Sequence, residues 1–132
     1  MQYKIVDRNY GSVFSSGIYF NRYHPGTTVK ALDKTLGIMV FKTLVNARDF
    51  KDFCGEMYRI LEVEGIGEAI EPKLISCGYR DSMNIFYREM NSKSFNGKFR
   101  VRTALAPIGT VCYKEIRVLR EYIPLARKLE RI

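Results

Sequence analysis

Gly37-Ile38-Met39-Val40-Phe41-Lys42-Thr43-Leu44-Val45-Asn46-Ala47-Arg48-Asp49-Phe50-Lys51-Asp52-Phe53-Cys54-Gly55 changes its hydrophobic period once, and the fold class follows from that change. The four residues after Gly37 are apolar without alternation, the pattern of a short strand covered on both faces, which places them at the centre of a sheet. From Thr43 onward Leu44, Ala47, Phe50 and Phe53-Cys54 recur every three or four residues, which is one face of a helix. Thr43 stands where its hydroxyl can accept a first-turn amide, and Gly55 stands where a helix stops. A strand buried on both sides, running directly into an amphipathic helix over 43–54, calls for helices packed on a sheet.

Upstream of this stretch the pattern is extended and turn-rich. Thr27 to Ala31 reads as a strand, and Arg22-Tyr23-His24-Pro25-Gly26 as a turn, because proline keeps His24 extended and Gly26 accepts positive φ. Ser12 to Phe20 reads as two short extended pieces joined by a tight turn at Ser15-Ser16-Gly17. Tyr3 to Asp7 alternates and ends in the turn cluster Arg8-Asn9-Tyr10-Gly11.

Downstream, Tyr58 to Glu64 alternates as a strand bounded by Gly65 and Gly67, and Ala69 to Ser76 is extended but carries Pro72, which suits an edge strand or a loop. Asp81-Ser82 can cap a helix through Met90, and Lys93 to Lys98 is a polar loop. Phe99 to Leu105 and Thr110 to Leu119 read as strands, and Pro124 fits the first turn of a last helix over 125–131. The expectation is one α+β domain over 1–132, a mainly antiparallel twisted sheet with a helix near 43–54 and two shorter helices.

Composition narrows the chemistry. The chain has 132 residues, enough for a core that needs neither disulfide nor metal. Lys4, Arg8, Arg22, Lys30, Lys34, Lys42 and Arg48 interrupt any run of the roughly 20 apolar residues a membrane-spanning helix needs, and Met1 to Val6 lacks a signal-peptide core. Cys54, Cys77 and Cys112 are spaced by 23 and 35 residues, matching neither a disulfide framework nor a close-paired zinc site, so a reducing, cytoplasmic setting is expected. With a single histidine, His24, in a turn, no metal ion and no cofactor are expected. Gly65-Ile66-Gly67 stops short of a phosphate-binding glycine loop.

Charge points to a partner. Lys and Arg number 22 against 14 Asp and Glu, a net charge of +8. Residues 1–66 hold nine basic and seven acidic groups, whereas residues 67–132 hold thirteen and seven, so the excess lies in the second half. A field of this sign favours phosphate-rich or acidic partners. The candidate polyanion-binding residues are Arg80, Arg88, Lys93, Lys98, Arg100, Arg102, Arg117 and Arg120, and Tyr79, Tyr87 and Phe95 interleave with them as candidate base-stacking rings. As a strand, residues 98–102 would turn Lys98, Arg100 and Arg102 to one side; Arg127, Lys128 and Arg131 would extend the patch.

Glu62-Val63-Glu64 places two carboxylates on one strand face. With Arg8 and Ser15-Ser16 upstream, this is similar to the order of arginine, serine motif and Glu-x-Glu in ADP-ribosyltransferases, which implies Arg8, Ser15, Ser16, Glu62 and Glu64 as the site of a nucleotide-handling enzyme. The serine motif lacks that family's threonine centre, and about half the chain follows the glutamates. A second likeness runs through Tyr23-x-x-Gly26-x-x-Val29-x-Ala31, Gly37-Ile38-x-Val40-Phe41-x-Thr43-Leu44-x-x-Ala47-x-x-Phe50 and Ile60-Leu61-Glu62-Val63-Glu64-x-x-Gly67. It resembles a small uncharacterised domain of phage and bacterial proteins, found in some of them beside pentapeptide repeats. That resemblance covers the first half of the chain, implies a small α+β domain and transfers no catalytic residue.

The leading expectation is therefore a non-enzymatic, phage-type accessory protein, in a host cytoplasm if phage-encoded. It would bind nucleic acid, or an acidic or nucleic-acid-bound protein, and interfere with host machinery. The alternatives are the enzyme just described and a structural homo-oligomer, such as a homodimer, joined through an unpaired sheet edge.

Overall fold

Among the residues that the computed structural model describes, 1–55, 57–76 and 81–125, eight strands and two helices follow in order: β1 (Gln2–Val6), β2 (Thr28–Lys30), β3 (Ile38–Phe41), α1 (Leu44–Cys54), β4 (Arg59–Ile66), β5 (Leu74–Ile75), α2 (Ser82–Met90), β6 (Ala104–Leu105), β7 (Thr110–Tyr113) and β8 (Glu115–Glu121). The class is α+β, as the period change at Lys42 required. The main sheet is antiparallel throughout with strand order β2-β8-β4-β1-β3-β7, and β5 pairs with β6 in a separate two-stranded ribbon. No helix among the described residues is long and apolar enough to cross a membrane.

That strand order forces the sheet to roll up. β7 and β8 are joined by Lys114 alone, yet in the pairing order β4, β1 and β3 stand between them. Laid flat, four ladder spacings would separate them by about 19 Å, at roughly 4.8 Å each. The chain from Tyr113 to Glu115 spans about 7 Å at most. The two strands are thus one bent ribbon, 110–121, whose first part pairs with β3 and whose second part pairs with β4, closing the sheet into a small barrel. Tyr113 forms the joint. Its backbone carbonyl lies 2.8 Å from where a Cβ on Gly37 would sit, and its ring occupies the place of a Cβ on Gly65. Gly37 also has φ 102°, so glycine is required there on two counts.

Strand alternation sorts the apolar residues into an inside and an outside. Val6, Ile38, Val40, Leu61, Val63, Val111, Ile116 and Val118 fill the interior with Tyr23. On the outer face Ile5, Phe41 and Ile60 pack against Ala47 of α1. Met39, next to two inward residues, faces outward against the cluster of Ile75, Met83, Phe86, Tyr87 and Val101 built around α2. β3 is covered on both sides, as its unbroken apolar run predicts, with paired neighbours at both edges. The most central pairs of the sheet are those of β4 and β1.

The caps of α1 match their sequence signals. Thr43 Oγ1 accepts the Asn46 amide at 3.1 Å, and Gly55 at φ 117° ends the helix. Phe53 departs from the predicted apolar face and is largely exposed.

Further expectations need correction. The tight turn of the serine loop is a 3-10 turn at Gly17–Tyr19, and the loop is closed at its base by the Gly11–Arg22 bridge. β4 runs through Gly65 to Ile66 because the small residue makes room for Tyr113. The strand expected over 99–105 shrinks to Ala104–Leu105, since the amides of Arg100 and Val101 go to the carboxylate of Glu89 instead of a neighbouring strand. Asp81 precedes α2 without a side-chain cap; the Phe14 carbonyl takes the Met83 amide at 3.1 Å. Of the last helix only Leu125 is described, and residues 126–131 lie outside the described residues.

Candidate functional site

Five exposed cations follow one another on the segment that leaves α2. Arg88 sits in the last turn of the helix, where a positive charge also suits the helix dipole. Lys93, Lys98, Arg100 and Arg102 follow on the irregular segment that returns toward β6, and all five are exposed. Residues 81–103 contain five basic and two acidic groups. Of these two, Glu89 spends its carboxylate on backbone: both oxygens lie within 3.1–3.2 Å of the Arg100 and Val101 amides. The returning segment is thereby folded back onto the end of α2. Among the described residues, no carboxylate lies within ion-pairing distance of any of the five cations.

A chain of hydroxyls holds the start of α2 against this segment. Ser82, fully buried, donates to the Ser76 carbonyl at 2.8 Å, and Ser76 Oγ donates to the Arg102 carbonyl at 2.7 Å. Asn91 Nδ2 donates to the Lys34 carbonyl and Asn96 Oδ1 accepts the Lys98 amide, which shapes the rest. The cations thus stand on an ordered irregular frame, not on the amphipathic strand expected for 98–102, so alternation does not aim them.

The interleaved rings have another use. Tyr87 is buried and packs against Tyr19 and Phe86, and Phe86 stacks on Phe99 with centroids 4.2 Å apart. Phe95 lies half-buried against Phe99. Tyr87 is corrected from a base-stacking candidate to a core residue of the α2 cluster, because a two-stranded ribbon and a nine-residue helix need rings to make a core, whereas Phe95 stands outside that core and touches Phe99 at its edge. Arg80 and Tyr79 lie outside the described residues, as do Arg127, Lys128 and Arg131.

Arg117 and Arg120 belong to a different surface. Both point outward from β8, and the ladder sets Glu64 directly opposite Arg117 and Glu62 opposite Arg120. The Arg120 guanidinium and the Glu62 carboxylate form an ion pair that encloses Glu62 Oε2. The carboxylates of the enzyme alternative and two of the polyanion candidates therefore face one another. Arg8 gives its carbonyl to Arg59 Nε, and Ser16 is held by Asn84 of α2, whose amide meets both the Ser16 N–H and C=O at 3.0 and 2.9 Å. Among the described residues no hydrogen bond or ion pair links Arg8, Ser15 or Ser16 to Glu62 or Glu64. His24 lies exposed in its turn beside the Tyr10 ring.

Lys4 is the residue that sequence reading passed over. It lies on β1 two positions from inward-facing Val6, so it shares the inward face, an unusual place for a cation. That spacing was a signal available in the sequence. Its ammonium reaches the Met39 carbonyl at 2.9 Å and lies 4.9 Å from the centre of the Tyr23 ring. Burial pulls the Lys4 amine down to about 8, partly opposed by the neighbouring Cys112. Burial likewise pushes the Cys112 thiol up to about 12 and raises the Tyr23 and Tyr87 phenols. Beside Lys4 opens a cavity of about 120 Å³ between the serine loop, β3 and α2.

Among the described residues no group of three or more His, Cys, Asp or Glu side chains gathers to hold a metal ion. Compared with family models, with curated proteins and with solved structures, the chain matches none, so its residues alone carry the functional reading.

Proposed function

We propose that this protein is a non-enzymatic accessory module that docks on the phosphate backbone of double-stranded nucleic acid through Arg88, Lys93, Lys98, Arg100 and Arg102. The observation that carries the reading is that, among the described residues, none of these five exposed cations is ion-paired with a carboxylate, while Lys30, Arg59 and Arg120 on the barrel each are. Unpaired surface cations are free to replace the counterions of a phosphate chain, and counterion release supplies most of non-specific affinity. A duplex suits this surface better than a single strand. Single-strand binders need exposed rings beside the cations, and here Phe86 and Tyr87 are buried while Phe95 and Phe99 are half-buried against each other. Phosphate contacts position a protein without reading bases, so the binding is sequence-tolerant. The setting that accords with the phage-type resemblance is interference with host nucleic-acid machinery.

The test is a salt series of duplex binding by fluorescence anisotropy. With the five cations changed together to glutamine, the slope of log K against log salt should flatten by about 0.9 for each phosphate that is no longer neutralised. Arg117→Gln, on the barrel, should leave the slope unchanged. An unchanged slope in the first variant, or no duplex binding by the unaltered chain at low salt, overturns the reading.

A second reading, self-association, rests on the β5–β6 ribbon, where Leu74 pairs with Leu105 and both are exposed, Leu105 to 80%. Sedimentation over a range of concentrations tests it, and a mass that stays at one chain removes it.

A further inference from the structure

The cavity beside Lys4 has an unusual lining. Phe14, Met39, Ile75, Met83 and Tyr87 give it apolar walls, and among the described residues Lys4 is the one formally charged side chain that borders it. Among the described residues no acidic side chain borders it to balance that charge. An ammonium group has three N–H donors, and here one is used by the Met39 carbonyl while the Tyr23 ring supplies only a face. A buried cation without a counter-charge is costly, and the cost falls when an anion is brought to it.

We propose that this cavity binds a small monocarboxylate with an aromatic or short apolar body, its carboxylate received by the Lys4 ammonium and its body by Phe14, Met39, Met83 and Tyr87. Small-molecule sites have this form: mostly apolar walls with a few fixed polar groups that set orientation. The thioethers of Met39 and Met83 give walls that adapt to a ring. The size agrees, because an apolar cavity of about 150 Å³ takes one benzene-sized molecule and this one measures about 120 Å³. Its borders come from the serine loop, β3 and α2, so Ser15 acquires a place beside a ligand that owes nothing to Glu62 or Glu64.

The elements packed around Lys4 leave it as the group whose charge decides binding. β3 presents the Met39 carbonyl, β7 the Cys112 thiol, the loop before β2 the Tyr23 phenol, and β4 the apolar Leu61 across the ladder. α2 and the 3-10 turn add the phenols of Tyr87 and Tyr19. Burial holds the thiol of Cys112 and the phenols of Tyr23 and Tyr87 in their neutral forms well above neutral pH, whereas Lys4 loses its proton near 8. Carboxylate binding requires the charged amine, so affinity is full below that value and falls as pH rises through it, approaching tenfold per pH unit.

The experiment titrates the full chain with benzoate and, in parallel, with its neutral isostere benzamide, following backbone amide resonances and heat at several pH values. Benzoate should shift resonances of residues around the cavity and weaken as pH is raised past 8; benzamide should bind at least tenfold more weakly with no pH dependence. Lys4→Met, which keeps the bulk and removes the charge, should abolish the preference for benzoate and leave benzamide binding in place. If that variant does not fold, the two probes on the unaltered chain decide by themselves. Equal binding of the two probes at every pH overturns the proposal. So does an absence of response at the cavity, or benzoate shifts confined to the 88–102 cations.

Discussion

The outer face of β4 and β8 and the segment from Arg88 to Arg102 both carry many charges, and they handle them in opposite ways. On the strands, register sets each residue opposite one partner, and the charges fall in complementary places: Glu62 across from Arg120, Glu64 across from Arg117, and Lys30 across from Glu115 with its ammonium 3.6 Å from the carboxylate. Arg59 and Glu121 add a pair at 2.8 Å. On the irregular segment no ladder dictates a partner, and the carboxylate of Glu89 has been drawn onto backbone amides. Net charge is therefore a poor guide to a binding surface. What matters is which cations the fold leaves without acids, and among the described residues five of them follow one another along this irregular stretch.

The contrast breaks most severely if the barrel is opened. Gly37→Ala puts a Cβ against the Tyr113 carbonyl at a positive φ and should cost about 3 kcal/mol or more in urea unfolding. Gly67→Ala, with positive φ but open space around it, should cost about 1 kcal/mol. Equal costs at the two glycines would show that closure at Tyr113 is not what requires Gly37.

The irregular frame is tested next. Glu89→Ala strips the acceptor from the Arg100 and Val101 amides and should cost about 1–2 kcal/mol, with faster amide exchange at those two residues and unchanged exchange in the barrel. Protection that persists at Arg100 and Val101 would mean that something other than Glu89 holds the segment.

The smallest effect belongs to the pairs on the strands. A double-mutant cycle of Glu62→Gln and Arg120→Gln should give a coupling of about 0.5 kcal/mol, because the Arg120 side chain is 66% exposed and solvent screens the pair. Neither change should affect duplex binding. A loss of duplex affinity on removing Arg120 would extend the binding surface onto the barrel and erase the distinction between the two regions.

The local elements were readable because their signals are local. Thr43 and Gly55 bound α1, the unbroken Ile38 to Phe41 run marks a doubly covered strand, and alternation locates β1 and β4. Reading failed where the deciding partner is distant in sequence. Phe99 to Val101 has the alternation of a strand, but the carboxylate of Glu89 and the ring of Phe86 take the amides and the side chain. Tyr87 and Phe95 have the spacing of a stacking platform, but the small α2 cluster absorbs Tyr87, and Phe95 turns against the ring of Phe99. Lys4 was passed over because a single lysine in a strand is usually solvated, and only the roll of the sheet encloses it.

Composition and period alone determined that the chain is α+β, where its longer helix starts and stops, and that its positive charge lies in the second half, since each depends on residues a few positions apart. Tertiary structure alone decided that the sheet closes at Tyr113, that among the described residues Arg120 is ion-paired while Arg88 and Arg100 are not, and that Lys4 borders a cavity. Each of these depends on groups brought together from distant parts of the chain, and the energy of a charge is set by what the fold places beside it.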